Sequence, residues 1–241
     1  MPVVELLVLG SAGLLAACVS AVAGIGVGLV LLPVLVLYLG IKSAIPILAL
    51  ALVAAATSRV VIYRREVDRR VAAWSILGAL PSTAAGAYLF TLAPPVLLTR
   101  LLGLLLLGIL VGRRLHLRPL PMRRPVAFLP LGIAIGIVSG LASGVGPLLA
   151  PFYLSYGLRK GAYVGTVGAM ALSMQLTKLA VFGGADLLTP RVLAYGLFLM
   201  PLTVLGTLLG KRLMLRISER VFVLLIEGVM LFGGVALLLR G

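Results

Sequence analysis

Ten apolar segments follow one another along this chain, at roughly 3–22, 27–40, 43–63, 71–91, 95–112, 126–140, 145–157, 161–183, 190–210 and 217–239, and no polar stretch between them is long enough for a soluble domain. A water-soluble globule needs polar side chains to cover its surface. With 62% hydrophobic and 11% charged residues among 241, this chain has too few of them. It reads as an integral membrane protein with a single membrane domain over 1–241. The first segment has neither a basic leader nor a small-residue cleavage site before the glycine cluster, so it is expected to stay as a helix rather than be removed.

A net charge of +15 would suggest nucleic acid in a soluble protein, but here its distribution gives it another meaning. The basic side chains gather in the short connections 64–70, 113–124, 159–160 and 211–220. Placing those four on the cytoplasmic side leaves only Lys42, Arg100, Arg191 and Arg240 outside, with Arg59 and Lys178 inside apolar segments. This bias is the positive-inside rule, and it predicts a multi-pass protein of the cell inner membrane. The lone Cys18 has no partner for an internal disulfide.

The second half of the chain overlays the first with a shift of 118. Gly26, Gly28, Pro33, Tyr38, Lys42 and Ala44 fall on Gly144, Gly146, Pro151, Tyr156, Lys160 and Ala162. With shifts of 118 to 120 the match continues: Ser58-Arg59 meets Thr177-Lys178, and Pro81, Thr83 and Gly86 meet Pro201, Thr203 and Gly206. An internal duplication accounts for this. The first repeat is 1–112, a basic cytoplasmic linker is 113–125, and the second repeat is 126–241. Each repeat holds five segments. An odd number of crossings, or a hairpin that returns to its own side plus three crossings, turns the second repeat upside down relative to the first. The expected fold is therefore an all-α polytopic membrane protein of two inverted-topology repeats, each a re-entrant or broken helical hairpin plus three transmembrane helices.

A spanning helix needs about 20 residues for a hydrocarbon core about 30 Å thick. Segments 126–140 and 145–157 are shorter, so they are expected to enter the membrane, turn near its midplane and return. The pair 3–22 and 27–40 is similar, although 3–22 can also cross alone. Turning the backbone in lipid leaves N–H and C=O groups without partners unless a polar cavity receives them. The glycines Gly24, Gly26 and Gly28, with Ser20, and Gly144 and Gly146, with Ser143, therefore outline a candidate anion site made of helix N-termini. Glycine can also serve helix contact alone. Pro33 and Pro151 are candidate hinges, or mark the early turns of the short helices.

The hairpins "GIGVGLVLLP" and "GLASGVGPLLAP", the connection "REVDRR" and the stretch "GTVGAMALSMQLTKLAVFGGAD" resemble the sulfite exporter TauE/SafE family of membrane permeases. The resemblance covers essentially the whole chain. It implies an inner-membrane carrier for small sulfur-containing anions, such as sulfite or organosulfonates. The chain departs from the family pattern in lacking a third consecutive glycine in either cluster and in having Pro147 directly after Gly146.

Charges inside the bilayer are costly and mark function by default. Glu227, midway along the last segment, is read either as a proton-coupling carboxylate or as a hydrogen-bonded structural one. Arg59 and Lys178 are repeat partners that can reach an anion or extend to the interface. Snorkelling is favoured for Arg59 and function for Lys178. Ser58 and Thr177 precede them, and Thr57, Thr166, Ser173 and Gln175 are further polar groups able to bind a sulfonate oxygen or satisfy a helix backbone. No metal spacing, phosphate-binding loop or catalytic set stands out, so neither an enzyme nor a cofactor is expected. The expected function is proton-coupled export by alternating access, with a small anion, protons and the bilayer as partners. A passive anion channel and a scaffold without flux are the alternatives.

Overall fold

The computed structural model describes residues 9–14, 16–17, 27–114, 122–143, 146–213 and 219–240. The described part of the first helix, α1, is residues 9–14 and 16–17. It is followed by α2 (Val27–Leu39), α3 (Ile41–Ile62), α4 (Arg69–Leu92) and α5 (Pro95–Arg114). A single 3-10 turn, Pro125–Ala127, leads into α6 (Phe128–Leu141), and α7 (Gly146–Tyr156), α8 (Lys160–Gly184), α9 (Pro190–Leu213) and α10 (Glu219–Arg240) complete the chain. Among the described residues α3, α4, residues 95–112 of α5, and α8 are both long and apolar enough to cross a membrane. Their outward faces carry exposed apolar side chains, among them Leu89, Leu97 and Leu104, and α10 adds Phe232 and Leu239. Such a surface suits lipid and not water. The protein is an all-α polytopic membrane protein.

Local sequence explains the helix boundaries. Asp68 starts α4: its carboxylate accepts hydrogen bonds from the Arg70 and Val71 N–H groups, both at 3.0 Å. Gly40, at φ 75°, lets the chain turn from α2 into α3 with one residue between them. Lys42 then closes the far end of α4, donating from Nζ to the Phe90 and Thr91 carbonyl oxygens at 2.6 and 3.0 Å. Those carbonyls have no partner within the helix, and a cation there also meets the negative end of its dipole.

Helix α4 packs most extensively on α6, and small residues make the approach possible. A Cβ added at Gly140 would stand 2.5 Å from the Ala87 nitrogen, and one at Gly86 would stand 2.5 Å from the Ile137 oxygen. Gly132, Gly136 and Gly140 recur every four residues and form the stripe that lets the two backbones touch. Residue order along this contact runs the same way in both helices, so α4 and α6 are parallel. In contrast, α3 and α8 are antiparallel: Arg59 lies against Gly168, Tyr63 against Gly165 and Glu66 against Gly161. Helices α5 and α10 are antiparallel as well, with Gly103 against Leu238 and Leu107 against Gly234. Helix α3 also packs on α9 as α8 packs on α4.

Helix α7 leads the chain back. Phe128 at the start of α6 stacks against Tyr153 and Tyr156 of α7, with ring centroids 4.7 and 5.4 Å apart, and the Met122 N–H donates to Ser155 Oγ. The pair α6–α7 is thus a hairpin whose two ends lie on one side. Its α6 arm runs past the middle of α4. Gly140 lies level with Thr83 and Ala87, past the middle of α4 and towards the end held by Lys42. The reason is length: residues 125–141 carry the chain roughly 25 Å at about 1.5 Å per residue, more than half of the hydrocarbon core.

Candidate functional site: a buried lysine at a broken helix

Helix α6 ends at Leu141. The backbone then becomes extended at Ala142, whose N–H still donates to the Val138 oxygen. Ser143, the next residue, is fully buried. Its Oγ accepts a 3.0 Å hydrogen bond from Nζ of Lys178, which is also fully buried. Lys178 sits late in α8, and Ser143 is its hydrogen-bond partner among the described residues. An ammonium removed from water needs opposite charge or several acceptors. One neutral hydroxyl leaves most of that need unmet, which makes this position the candidate anion site.

Two further polar atoms support the assignment. Gln175, one helical turn before Lys178 on the same face of α8, is 5% exposed, and its Oε1 has no hydrogen-bond partner. Thr83 of α4 is fully buried, and its Oγ1 has none either. Helices α4 and α8 run parallel, and three contacts fix their register. The Asp68 N–H donates to Thr166 Oγ1, Tyr153 donates to Ser75 Oγ while lying 3.0 Å from Met170 Sδ, and the rings of Phe90 and Phe182 stand 5.3 Å apart. Thr83, Gln175 and Lys178 all fall between the second and third of these levels. Thr83 is also beside Gly140, three residues before Ser143.

Other residues singled out in the sequence are placed elsewhere. Arg59 is half-buried and donates from Nε to the Ala55 oxygen of its own helix. Its Cβ lies against Gly168, about 15 Å along α8 from Lys178 at the helical rise. Ser58 donates to the Ala55 oxygen and Thr177 to the Ser173 oxygen, each turned back onto its own helix. Ser173 likewise donates to the Met170 oxygen, and Thr166 receives the Asp68 N–H. Gly28 is buried in the first turn of α2, and Gly146 is the first residue of α7. Ser20, Gly24, Gly26 and Gly144 lie outside the described residues. Both prolines sit within unbroken helices: Pro33 is buried against Gly233 of α10, whereas Pro151 is exposed. Glu227 is half-buried on α10, which packs on α5 and α2.

Sequence reading missed Thr83 as a site residue. Its signal was the P-x-T-x-x-G pattern shared with Thr203, which marks the helix face but not the missing partner. The Gly132, Gly136, Gly140 stripe was equally visible as small residues four apart. A cleft of about 370 Å³ opens elsewhere, at the Lys42 end, among α2, α3 and α9, lined by residues that include Tyr38, Ser43 and Tyr195. Among the described residues no group of three His, Cys, Asp or Glu side chains is placed to hold a metal ion.

A bundle of helices with lipid-facing apolar surfaces defines a class, that of polytopic membrane proteins. Within that class the family is specific. The description "Sulfite exporter TauE/SafE" matches residues 9–237, nearly the whole chain, and the protein belongs to this family of membrane transporters, which are not enzymes. Neither the curated proteins nor the solved structures yield a match.

Proposed function

We propose that the protein is a secondary transporter that exports small sulfur-containing anions, such as sulfite or organosulfonates, across the inner membrane. The observation that carries the reading is the fully buried Lys178, bonded to Ser143 where the helical hairpin breaks. An oxyanion there would receive the ammonium, the Ser143 hydroxyl and the amide groups opening α7. Because the lysine and serine are sealed from the surface, a carrier that opens to one side at a time fits better than a continuous pore.

The mechanism we infer is alternating access between two inverted repeats, 1–112 and 126–241. Support comes from the repeat-related pairs α3 and α8, and α5 and α10, each of which packs antiparallel, and from the reciprocal contacts of α3 with α9 and of α8 with α4. The basic connections 64–70, 113–124, 159–160 and 211–220 face the cytoplasm in this scheme. Glu227 is the candidate proton-coupling carboxylate. The test is an uptake screen of small anions in proteoliposomes with and without a pH gradient. Accumulation of sulfite or a sulfonate against its own gradient is expected. Flux far above carrier rates would replace the carrier with a channel, and absence of flux would leave a scaffold.

A further inference from the structure

We propose that Gln175 and Thr83 are the selectivity residues of the Lys178 pocket, and that with one positive charge among neutral hydrogen-bonding groups it takes a singly charged oxyanion and rejects a dianion of the same size. The inference rests on the proposed anion site and names the charge class of its ligand: hydrogen sulfite or a monosulfonate rather than sulfate.

Buried polar atoms without partners are rare and call for an explanation, of which an absent ligand is one. Here there are two, Gln175 Oε1 and Thr83 Oγ1, at the level of the Lys178–Ser143 hydrogen bond. The repeat partner of Thr83 shows that helix geometry alone does not cause this. Thr203, also fully buried, donates to the Met200 oxygen of its own helix at 2.8 Å and lies 3.4 Å from the Ala51 oxygen of α3. Thr83 has neither contact's equivalent. Its hydroxyl is held available at the level of Lys178.

The charge count decides the rest. Among the described residues the polar side chains at that level are a lysine, a serine, a glutamine and a threonine, a single unit of positive charge. The cations nearest along the bundle are engaged elsewhere: Lys42, over the Phe90 ring that meets Phe182 one turn past Lys178, donates to the Phe90 and Thr91 carbonyl oxygens, and Arg59 of α3, against Gly168, donates to Ala55. A monoanion neutralises Lys178. A dianion would leave one negative charge uncompensated in a sealed site, a penalty of several kcal/mol after relaxation.

Methanesulfonate and sulfate test this, being nearly the same shape with one and two charges. The purified full chain should bind methanesulfonate at least about a hundredfold more tightly than sulfate. Gln175→Met and Thr83→Val should each weaken methanesulfonate about tenfold. Gln175→Lys, which supplies a second charge, should shift the preference towards sulfate. Equal affinity of the parent protein for both anions, or an unchanged ratio in a folded Gln175→Lys protein, overturns the proposal. If Gln175→Lys does not fold, parent-like binding by Gln175→Met and Thr83→Val does so instead. Lys178→Met separates the two readings: methanesulfonate binding that survives it refutes the anion site itself. Loss in Lys178→Met with parent-like Gln175→Met and Thr83→Val refutes only the selectivity residues.

Discussion

Replacing Lys178 with methionine tests the site most directly, because methionine fills nearly the same volume without charge or donors. Two effects can be separated. The unliganded protein loses a buried ammonium whose partner among the described residues is one serine hydroxyl. Exchange of a poorly compensated buried charge for an apolar side chain is often neutral or stabilising. Its melting temperature without ligand should therefore hold or rise. Binding should collapse. Truncating one member of a buried charge pair removes about 2–5 kcal/mol, equivalent to a rise in Kd of about 30-fold to about 4000-fold at 1.4 kcal/mol per decade. A thermal-shift assay with sulfite reads both effects. At a concentration 100 times the parental Kd, ligand stabilises the parent by about 2.7 kcal/mol. If Kd rises a hundredfold, the same concentration stabilises Lys178→Met by only about 0.4 kcal/mol. A sulfite-induced shift of parental size in Lys178→Met would refute the assignment, as would a large loss of ligand-free stability, which would mark the lysine as structural.

Ser143→Ala should weaken sulfite binding about tenfold or more by removing one hydroxyl from the pocket, measured by calorimetry on the same preparation. Glu227→Gln should abolish transport driven by a pH gradient while leaving the melting temperature unchanged; equal transport at every pH would dismiss its coupling role. Gly140→Ala should destabilise the protein by about 1–3 kcal/mol, because the new methyl meets the α4 backbone at Ala87, and thermal unfolding would show it. Cysteines introduced singly at positions 42 and 160, in a chain with Cys18 replaced, should react with a membrane-impermeant reagent from opposite faces; labelling from one face would remove the inverted repeat.

Much of the scaffold was legible because lipid imposes strong rules. Segment bounds read from hydrophobicity, such as 43–63, 71–91 and 161–183, lie within a few residues of α3, α4 and α8. The hairpin α6–α7 was legible from length, and its break from the Ser-Gly-Val-Gly sequence. Depth was not legible. It depends on where α6 meets α4, which the Gly132, Gly136, Gly140 stripe sets through contacts with Ala79, Thr83 and Ala87. The site divided in the same way. Lys178 and Ser143 were both on the page as candidates, but nothing in a one-dimensional pattern pairs residues 35 apart in sequence. Arg59 occupies the matching position in the sequence overlay, where extension to the interface is the favoured reading; its guanidinium instead finds a carbonyl one turn back on α3.

That divergence bears on mechanism. In the proposed two-repeat plan α3 and α8 have matching neighbours, yet the side chains at corresponding points meet different partners. Thr203 is tied to backbone on α9 and lies beside α3, while the Thr83 hydroxyl of α4 is buried without a partner. Arg59 bonds its own helix, while Lys178 reaches across to the broken end of α6. Each difference moves hydrogen-bonding capacity away from the first-repeat position and towards the contact between α4, α6 and α8. A carrier whose halves exchange roles during rocking needs a scaffold with that symmetry, because the two end states must be of similar energy. Its ligand needs no such symmetry. In the proposed site one cation served by neutral groups from α4 and α8 would hold a single anion, whereas a second, equivalent cation at the same level would repel the first whenever the pocket stood empty. The asymmetry between Lys178 and Arg59 is thus what a symmetric scaffold requires in order to hold one charge at a time.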